Sequence, residues 1–184
     1  MPEKNINSTT MLPAALRPTP DESGMTVPQL LEHRINALFE QIPLVAELGE
    51  AFAQAGHDLY LVGGSVRDAL MGRLGHDLDF TTDARPDDTE AILRQHTHAT
   101  WDIGRAFGTI GAQIDDWVVE VTTYRADAYH PDSRKPEIVY GETLKDDLIR
   151  RDFTVNAMAL HAATRTFSDP YAGLTDIVLS LIHI

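Results

Sequence analysis

Two aspartates separated by one residue carry the strongest chemical signal in this sequence. Residues 76–82 alternate polar and apolar side chains, as a half-buried strand does. Asp77 and Asp79 then share one face, where two carboxylates repel each other unless a cation lies between them. Hard oxygen ligands of this kind suit Mg²⁺, which takes its other ligands from water and substrate phosphates. The pair predicts a magnesium site, and an exposed strand face without a ligand is the alternative.

A glycine-rich turn precedes this strand. Residues 59–62 form a short apolar run that stops at Gly63 and Gly64, and the apolar spacing that follows predicts a short helix ending at Gly72. Free N–H groups at the start of such a helix suit a polyphosphate. Arg67 lies one turn into the helix, where its guanidinium can fork onto phosphate oxygens. For the two glycines alone, a plain strand–turn–helix connection is the alternative.

A third acidic candidate lies in a β-branched run at residues 117–125. If Val119 and Val121 face the core, Glu120 lies on the same side as the two aspartates. Metal-assisted transfer commonly uses one further carboxylate to activate the attacking hydroxyl. A solvated strand residue is the alternative interpretation of Glu120.

A charged segment at residues 142–151 predicts a helix. Thr143 can cap its start, and Arg150 and Arg151 carry the positive charge that suits its C-terminal end. Taken alone, this segment is typical of a charged surface helix.

Four motifs, taken in this order and spacing, resemble those of class II CCA-adding tRNA nucleotidyltransferases and bacterial poly(A) polymerases, and most of all the actinobacterial CCA-adding enzymes. The resemblance covers about residues 30–177. It implies an α/β (α+β) head domain of the DNA polymerase β type, with a mixed sheet flanked by helices. The motifs are Gly-Gly-Ser-Val-Arg-Asp at 63–68, Asp-Leu-Asp at 77–79, Glu-Val-Thr-Thr-Tyr-Arg at 120–125 and Arg-Arg-Asp-Phe-Thr-Val-Asn-Ala at 150–157.

The resemblance also implies roles for individual residues. Asp77 and Asp79 would hold magnesium, and Glu120 would join them as the third catalytic carboxylate. The nucleotide-binding residues would be Gly63, Gly64, Ser65, Arg67, Arg125 and Arg151, with Gly63 and Ser65 shaping the turn. Structural support would come from Asp68, Asp152 and Asn156.

The activity implied by this resemblance is template-independent addition of CCA to tRNA 3′ ends from CTP and ATP, with Mg²⁺ as cofactor. The alternatives are a bacterial poly(A) polymerase, a CC- or A-adding specialist, and a non-catalytic nucleoside-triphosphate-binding chain. They stay open because nothing in the sequence matches the neck motif with which the family reads the base. We therefore expect the chain alone to be inactive or impaired, and the sequence does not predict its oligomeric state.

Composition restricts other classes of protein. The 184 residues include no cysteine, which excludes disulfides and cysteine-bound zinc, and the eight histidines do not form a zinc motif. The formal charge of −13 opposes nonspecific binding of nucleic acid; in the family, most tRNA contacts come from domains beyond the head. No long apolar span or leader is present, so we expect a cytoplasmic protein without membrane association.

We expect three regions along the chain. Residues 1–25 predict a disordered arm, residues 26–177 the head domain, and residues 178–184 a tail that departs from the family, so that a truncation would leave out the neck, body and tail domains. Within the head, the pattern predicts helices over residues 30–56 and 86–95, strands near 99–102, 109–114 and 118–124, a mobile loop over 126–137, and a closing hairpin over 157–169.

Overall fold

The computed structural model describes residues 22–73, 75–102, 104–126 and 139–178. The predicted disordered arm, mobile loop and tail therefore lie largely outside the described residues. The chain forms helices α1 Val27–Gln41, α2 Pro43–Gln54, α3 Gly63–Leu70, α4 Pro86–Leu93, α5 Leu144–Ile149 and α6 Gly173–Val178, and strands β1 Leu59–Val62, β2 Asp77–Thr82, β3 Thr100–Trp101, β4 Thr109–Ile114, β5 Trp117–Thr123, β6 Arg125–Ala126, β7 Val139–Tyr140, β8 Ala159–His161 and β9 Phe167–Ser168.

Seven strands form one mixed sheet in the order β3-β4-β5-β2-β1-β8-β9. Strands β2 and β5 run parallel, and every other neighbouring pair in this sheet is antiparallel. Strands β6 and β7 form a separate two-stranded ladder. The mixed sheet flanked by helices confirms the fold class predicted from the motifs.

The two central strands separate apolar from acidic side chains. Leu78 and Phe80 of β2 and Val121 of β5 are at most 3% exposed, whereas Asp79 and Glu120 are exposed. Helix α2 packs against β1, and α4 packs against β4 and β5, so that their apolar side chains complete one core with those of the sheet. Each fully buried aliphatic or aromatic side chain contributes about 1.5–3 kcal/mol to this core. The acidic face stays free for a site because the opposite face carries the core.

The N-terminal helices follow the predicted apolar spacing. Helix α1 begins one residue before Pro28 and buries Leu38 and Phe39, and α2 buries Val45, Leu48 and Phe52. Ordered contacts begin earlier, at Glu22, whose carboxylate accepts a hydrogen bond of 3.0 Å from the Nε of buried Arg34.

The shorter elements match the expectations in kind and differ at their ends. The strand expected near residues 99–102 is confined to β3, and α4 ends two residues before the expected position 95. The closing hairpin is the antiparallel pair of β8 and β9. In the described part of the chain, no helix combines the length and apolar character that crossing a membrane requires.

Candidate active site

Three carboxylates lie on the exposed face of the two parallel strands. The register places Asp79 directly opposite Glu120, and Asp77 lies two residues earlier on the same face. Neighbouring strands are about 4.8 Å apart, so Asp79 and Glu120 are adjacent. Burial raises the pKa of Asp79, the charges of Glu120 and Asp77 raise it further, and Arg151 opposes the rise. The alternation of the sequence predicts that the three carboxylates share this face, and the register between β2 and β5 determines which of them are neighbours.

Ser65 fixes the strand that carries the aspartates. Strand β1 pairs with β2 from Thr82 only as far as Phe80. Beyond that point, the Ser65 hydroxyl donates to the carbonyl of Asp77 at 3.2 Å and accepts from the N–H of Asp79 at 3.1 Å. The side chain thus continues the hydrogen bonding of β2 where β1 ends. The sequence predicts Ser65 as part of the turn, and its bonds to β2 are an additional role.

The two glycines of the turn lie against two arginines. Gly63 has a φ of 67°, a left-handed conformation that favours glycine. A Cβ atom on Gly63 would lie 3.3 Å from Nη1 of Arg151, and one on Gly64 would lie 3.4 Å from Nη2 of Arg67. The turn therefore brings its backbone close to both guanidinium groups that the family resemblance assigns to the triphosphate.

Two of the three predicted supporting residues hold Arg67. Its Nε donates to Asp68 at 3.0 Å, and its Nη1 donates to the side-chain oxygen of Asn156 at 2.8 Å. Because both partners are fixed by secondary structure, the guanidinium has a defined position beside the turn. The third residue, Asp152, is exposed and lines the cleft described next.

An open cleft of about 390 Å³ joins the carboxylates to a cluster of arginines. Its acidic lining comes from Asp79, Glu120 and Asp152, and its basic lining from Arg125, Arg150 and Arg151. Opposite charges thus meet around a space that is large enough for part of a nucleotide. The other polar residues of the lining are Thr109, Thr122 and Asn156.

Asp147 is the residue that the sequence analysis missed. Its side chain is 0% exposed, and it accepts hydrogen bonds from Nε of Arg150 at 3.3 Å, Nη2 of Arg151 at 2.9 Å and the backbone N–H of Arg125 at 3.3 Å. One carboxylate therefore positions all three arginines of the cleft. The available signal was its spacing, since residues three and four positions apart on a helix lie on the same side.

The arginine cluster retains unused donors. Among the described residues, the buried Nε atoms of Arg125 and Arg151 have no hydrogen-bond partner. Burial and the charge of Arg150 lower the pKa of Arg125, against the attraction of Asp147. With a single buried carboxylate for three cations, the cluster keeps a net positive charge. Such a cluster suits an anionic ligand, for which arginine provides charge-assisted hydrogen bonds.

A metal would have to be held by few protein ligands. Within residues 22–73, 75–102, 104–126 and 139–178, no three His, Asp or Glu side chains converge to hold an ion by themselves. The site offers the pair Asp77 and Asp79 instead. A carboxylate pair suits Mg²⁺, because this ion keeps several waters and completes its shell with substrate phosphates.

A family model and known relatives match this chain. Residues 59–183 match the family model described as the poly A polymerase head domain. The CCA-adding enzyme of Staphylococcus haemolyticus (strain JCSC1435) is 48% identical over 112 residues, which are 60% of this chain and 27% of that protein.

Two solved structures are similar in fold. The CCA-adding enzyme of Bacillus stearothermophilus in complex with CTP aligns with a TM-score of 0.61 at 34% identity, over 76% of this chain and 31% of that one. A tRNA nucleotidyltransferase complexed with a primer tRNA and an incoming ATP analog aligns with a TM-score of 0.56 at 31% identity, over 71% of this chain and 36% of that one. The chain thus spans about a third of the length of these relatives. Because the head-domain match extends over more than half of the chain and its aligned relatives are CCA-adding enzymes, the chain belongs to the family of CCA-adding tRNA nucleotidyltransferases and poly(A) polymerases, as its four motifs predict.

Proposed function

We propose that this chain is a catalytic head that transfers nucleotides from CTP and ATP to the 3′ end of tRNA, and that the protein it represents adds CCA. The observation that supports this most strongly is the cleft in which Asp79 and Glu120 lie beside three arginines held by Asp147. Nucleotidyl transfer needs carboxylates near the reacting phosphate and cations around the rest of the triphosphate. The cleft provides both.

Nucleotidyltransferases of this family generally use divalent metal ions. We infer that the ion here is Mg²⁺ and that Asp77 and Asp79 hold it. The donor set fits, because Asp77 and Asp79 share one face of β2 with Glu120 directly opposite Asp79, and a divalent cation would stabilise carboxylates that lie so close together. An ion held by these two aspartates would supply Lewis acidity at the attacking ribose hydroxyl and would offset charge on the α-phosphate and the leaving pyrophosphate.

The remaining groups of the site divide the work between the two substrates. Arg151, Arg125 and Arg67 bind the triphosphate together with the backbone of the turn at Gly63 and Gly64, which Ser65 anchors to strand β2. Their charges favour the transition state, in which charge moves onto the leaving group. Glu120 lies opposite Asp79 and is placed to orient the attacking hydroxyl and accept its proton at a carboxylate oxygen.

Two other kinds of function would use the same cleft: nucleotide transfer with a different specificity, and triphosphate binding without catalysis. A poly(A) polymerase is one, since the matching family model is described by that activity; a CC- or A-adding specialist would share the same head. A non-catalytic triphosphate-binding role is the other, because the chain spans about a third of its relatives' length and carries a formal charge of −13. Such a charge disfavours a strong hold on RNA.

Transfer assays distinguish these functions. Because the head alone is expected to be inactive or impaired, a full-length parent protein that contains this head is incubated with Mg²⁺, labelled CTP or ATP, and either a tRNA that ends before CCA or an unrelated RNA. Incorporation into tRNA from both nucleotides, lost in Asp79→Ala, supports CCA addition. ATP-only extension of either RNA favours the poly(A) polymerase, and magnesium-dependent nucleotide binding without incorporation favours the binding role. Incorporation that Asp79→Ala leaves intact would refute the proposed site.

A further inference from the structure

The acidic face of the sheet continues past Glu120 to an aromatic residue at the sheet edge. Glu120 lies opposite Gly111 on β4, and Gly111 lies opposite Trp101 on β3. With Asp79 on the other side of Glu120, these four residues form one row across four neighbouring strands. Residues that face each other across a ladder project to the same side of the sheet. Trp101 therefore shares its face with the three carboxylates.

The indole of Trp101 lies directly over Gly111. A Cβ atom on Gly111 would be 2.1 Å from Nε1 of Trp101 and 2.2 Å from Cε2, so no other residue type fits there without moving the ring. Because neighbouring strands are about 4.8 Å apart, the ring lies roughly one strand spacing from Glu120. Trp101 remains half-buried, so part of its surface is accessible. The missing side chain at Gly111 thus places an aromatic surface beside the third carboxylate.

The two sides of Asp79 differ in chemistry. On the side of β1 and α3, the turn at Gly63 and Arg151 provides amides and positive charge for a triphosphate. On the side of β5, β4 and β3, the row instead provides Glu120 and an aromatic ring. An attacking hydroxyl that gives its proton to Glu120 approaches from this second side. The base attached to that ribose would then lie within a few ångströms of the indole.

We propose that Trp101 stacks against the terminal base of the RNA that receives the nucleotide. This inference rests on the proposed function, since it takes Glu120 as the residue next to the attacking hydroxyl. Aromatic stacking tolerates any base and needs no positive charge. That property suits a chain whose formal charge of −13 weakens contacts to the RNA backbone.

The chain contains its own control for a fluorescence test, because it has two tryptophans. Trp117 packs against the core with the alternate residues Val119 and Val121 of β5, away from the face of Glu120. In Trp117→Phe only Trp101 emits, and in Trp101→Phe only Trp117 emits. Each variant is titrated with a short single-stranded RNA in the presence of Mg²⁺. The proposal predicts saturable quenching of Trp101 and unchanged emission of Trp117.

Substitutions of the Trp101 ring distinguish stacking on RNA from a purely structural role, in which the ring only covers the sheet. Trp101→Leu keeps an apolar cover and should weaken RNA binding about tenfold, whereas Trp101→Phe keeps a ring and should weaken it less. This loss should persist at high salt, because stacking is not screened. Gly111→Ala retains Trp101 and displaces its ring, so it should reduce the quenching without removing the fluorophore.

CTP binding in the presence of Mg²⁺ is measured on the same variants and should not change. Two results would overturn the stacking proposal and leave the proposed function standing. In the first, the chain binds CTP but RNA does not quench the fluorescence of Trp101. In the second, the Leu variant, the Phe variant and the parent chain bind RNA with equal affinity. Failure of every variant, including the parent, to bind CTP counts against the proposed function instead. If Trp101→Leu fails to fold, the Trp101→Phe variant and the fluorescence of Trp101 in the Trp117→Phe variant still decide the test.

Discussion

Strand β2 carries aspartates at both of its ends, and the two ends treat them differently. At its C-terminal end, Asp83 accepts a hydrogen bond of 2.8 Å from the N–H of Asp58, and Asp58 lies 3.3 Å from Nε2 of His161. At its N-terminal end, Asp79 is crowded by Asp77 and Glu120, and its pKa is raised by burial and by their charges. At the C-terminal end the carboxylates contact other groups of the protein, and at the N-terminal end they face a cleft.

We infer from this difference that the carboxylates at the N-terminal end of β2 are available to a ligand. Asp58 and Asp83 interact with groups of the protein itself, whereas Asp79 and Glu120 face arginines across open space. Arg150 and Arg151 are held in place by hydrogen bonds of 3.3 and 2.9 Å to the buried carboxylate of Asp147. A ligand that carries both a cation and phosphates would neutralise both sides of the cleft at once.

The largest expected effect is the loss of stability that follows replacement of the buried carboxylate of Asp147. Asp147→Asn should lower the free energy of unfolding by about 3–5 kcal/mol, because it leaves partly buried guanidinium groups without their counter-charge. Urea denaturation measures this loss. Asp102→Asn removes a surface partner of Arg105, 3.5 Å away and 68% exposed, and should cost at most about 1 kcal/mol. Equal losses in the two variants would contradict the role given to Asp147.

Next in size is the loss of a phosphate contact. Arg151→Ala should weaken CTP binding about tenfold to a hundredfold, the value of a charge-assisted hydrogen bond of about 1.5–3 kcal/mol. Binding of cytidine, which has no phosphates, should be unaffected, and calorimetry with both ligands shows the difference. Arg94→Ala, which removes a surface arginine paired with Glu90, is the control. An equal loss for cytidine would place Arg151 away from the triphosphate.

A substitution at the C-terminal end of β2 should change the stability of the fold without changing nucleotide binding. Asp83→Ala removes the acceptor for the Asp58 N–H and should cost about 1 kcal/mol of unfolding free energy. Magnesium-dependent CTP binding should stay at the level of the parent chain, as measured by calorimetry. A marked drop in CTP affinity would break the distinction between the two ends.

The smallest expected effect concerns the coupling of the carboxylates. Because the charge of Glu120 raises the pKa of Asp79, Glu120→Gln should lower that pKa toward its ordinary value. A carboxyl with a raised folded pKa costs stability as the pH rises past its unfolded value, so the variant should lose less stability over that range. Carboxyl NMR titration measures the pKa, and Glu47→Gln on helix α2 is the control. An unchanged Asp79 pKa would mean that the two groups are not adjacent.

The sequence predicted those features that depend on local periodicity. Alternation over residues 77–82 and 117–123 is sufficient to place Asp79 and Glu120 on exposed faces, because side chains of a strand alternate. The capping role of Thr143 is equally local, and its hydroxyl accepts from the N–H of Asp146. The four motifs added the order of the elements and the family.

Features that depend on long-range packing could not be predicted in this way. The register that sets Asp79 opposite Glu120 joins strands about 40 residues apart. A helix with several charges is typical of a surface, whereas Asp147 is fully buried and accepts a hydrogen bond from the N–H of Arg125, which is distant in the sequence. The position of the Trp101 indole over Gly111 likewise depends on the pairing between β3 and β4.

The central claim is that the N-terminal end of β2, which carries Asp77 and Asp79, is a magnesium-dependent triphosphate site. Isothermal titration calorimetry of CTP and ATP, with and without Mg²⁺, tests it on the parent chain and on the double variant Asp77→Ala/Asp79→Ala. We predict weak and similar binding of both nucleotides that requires Mg²⁺ and disappears in the double variant, whose unfolding midpoint stays near that of the parent. Equal binding by the double variant, or no binding by a demonstrably folded parent chain, would contradict the claim.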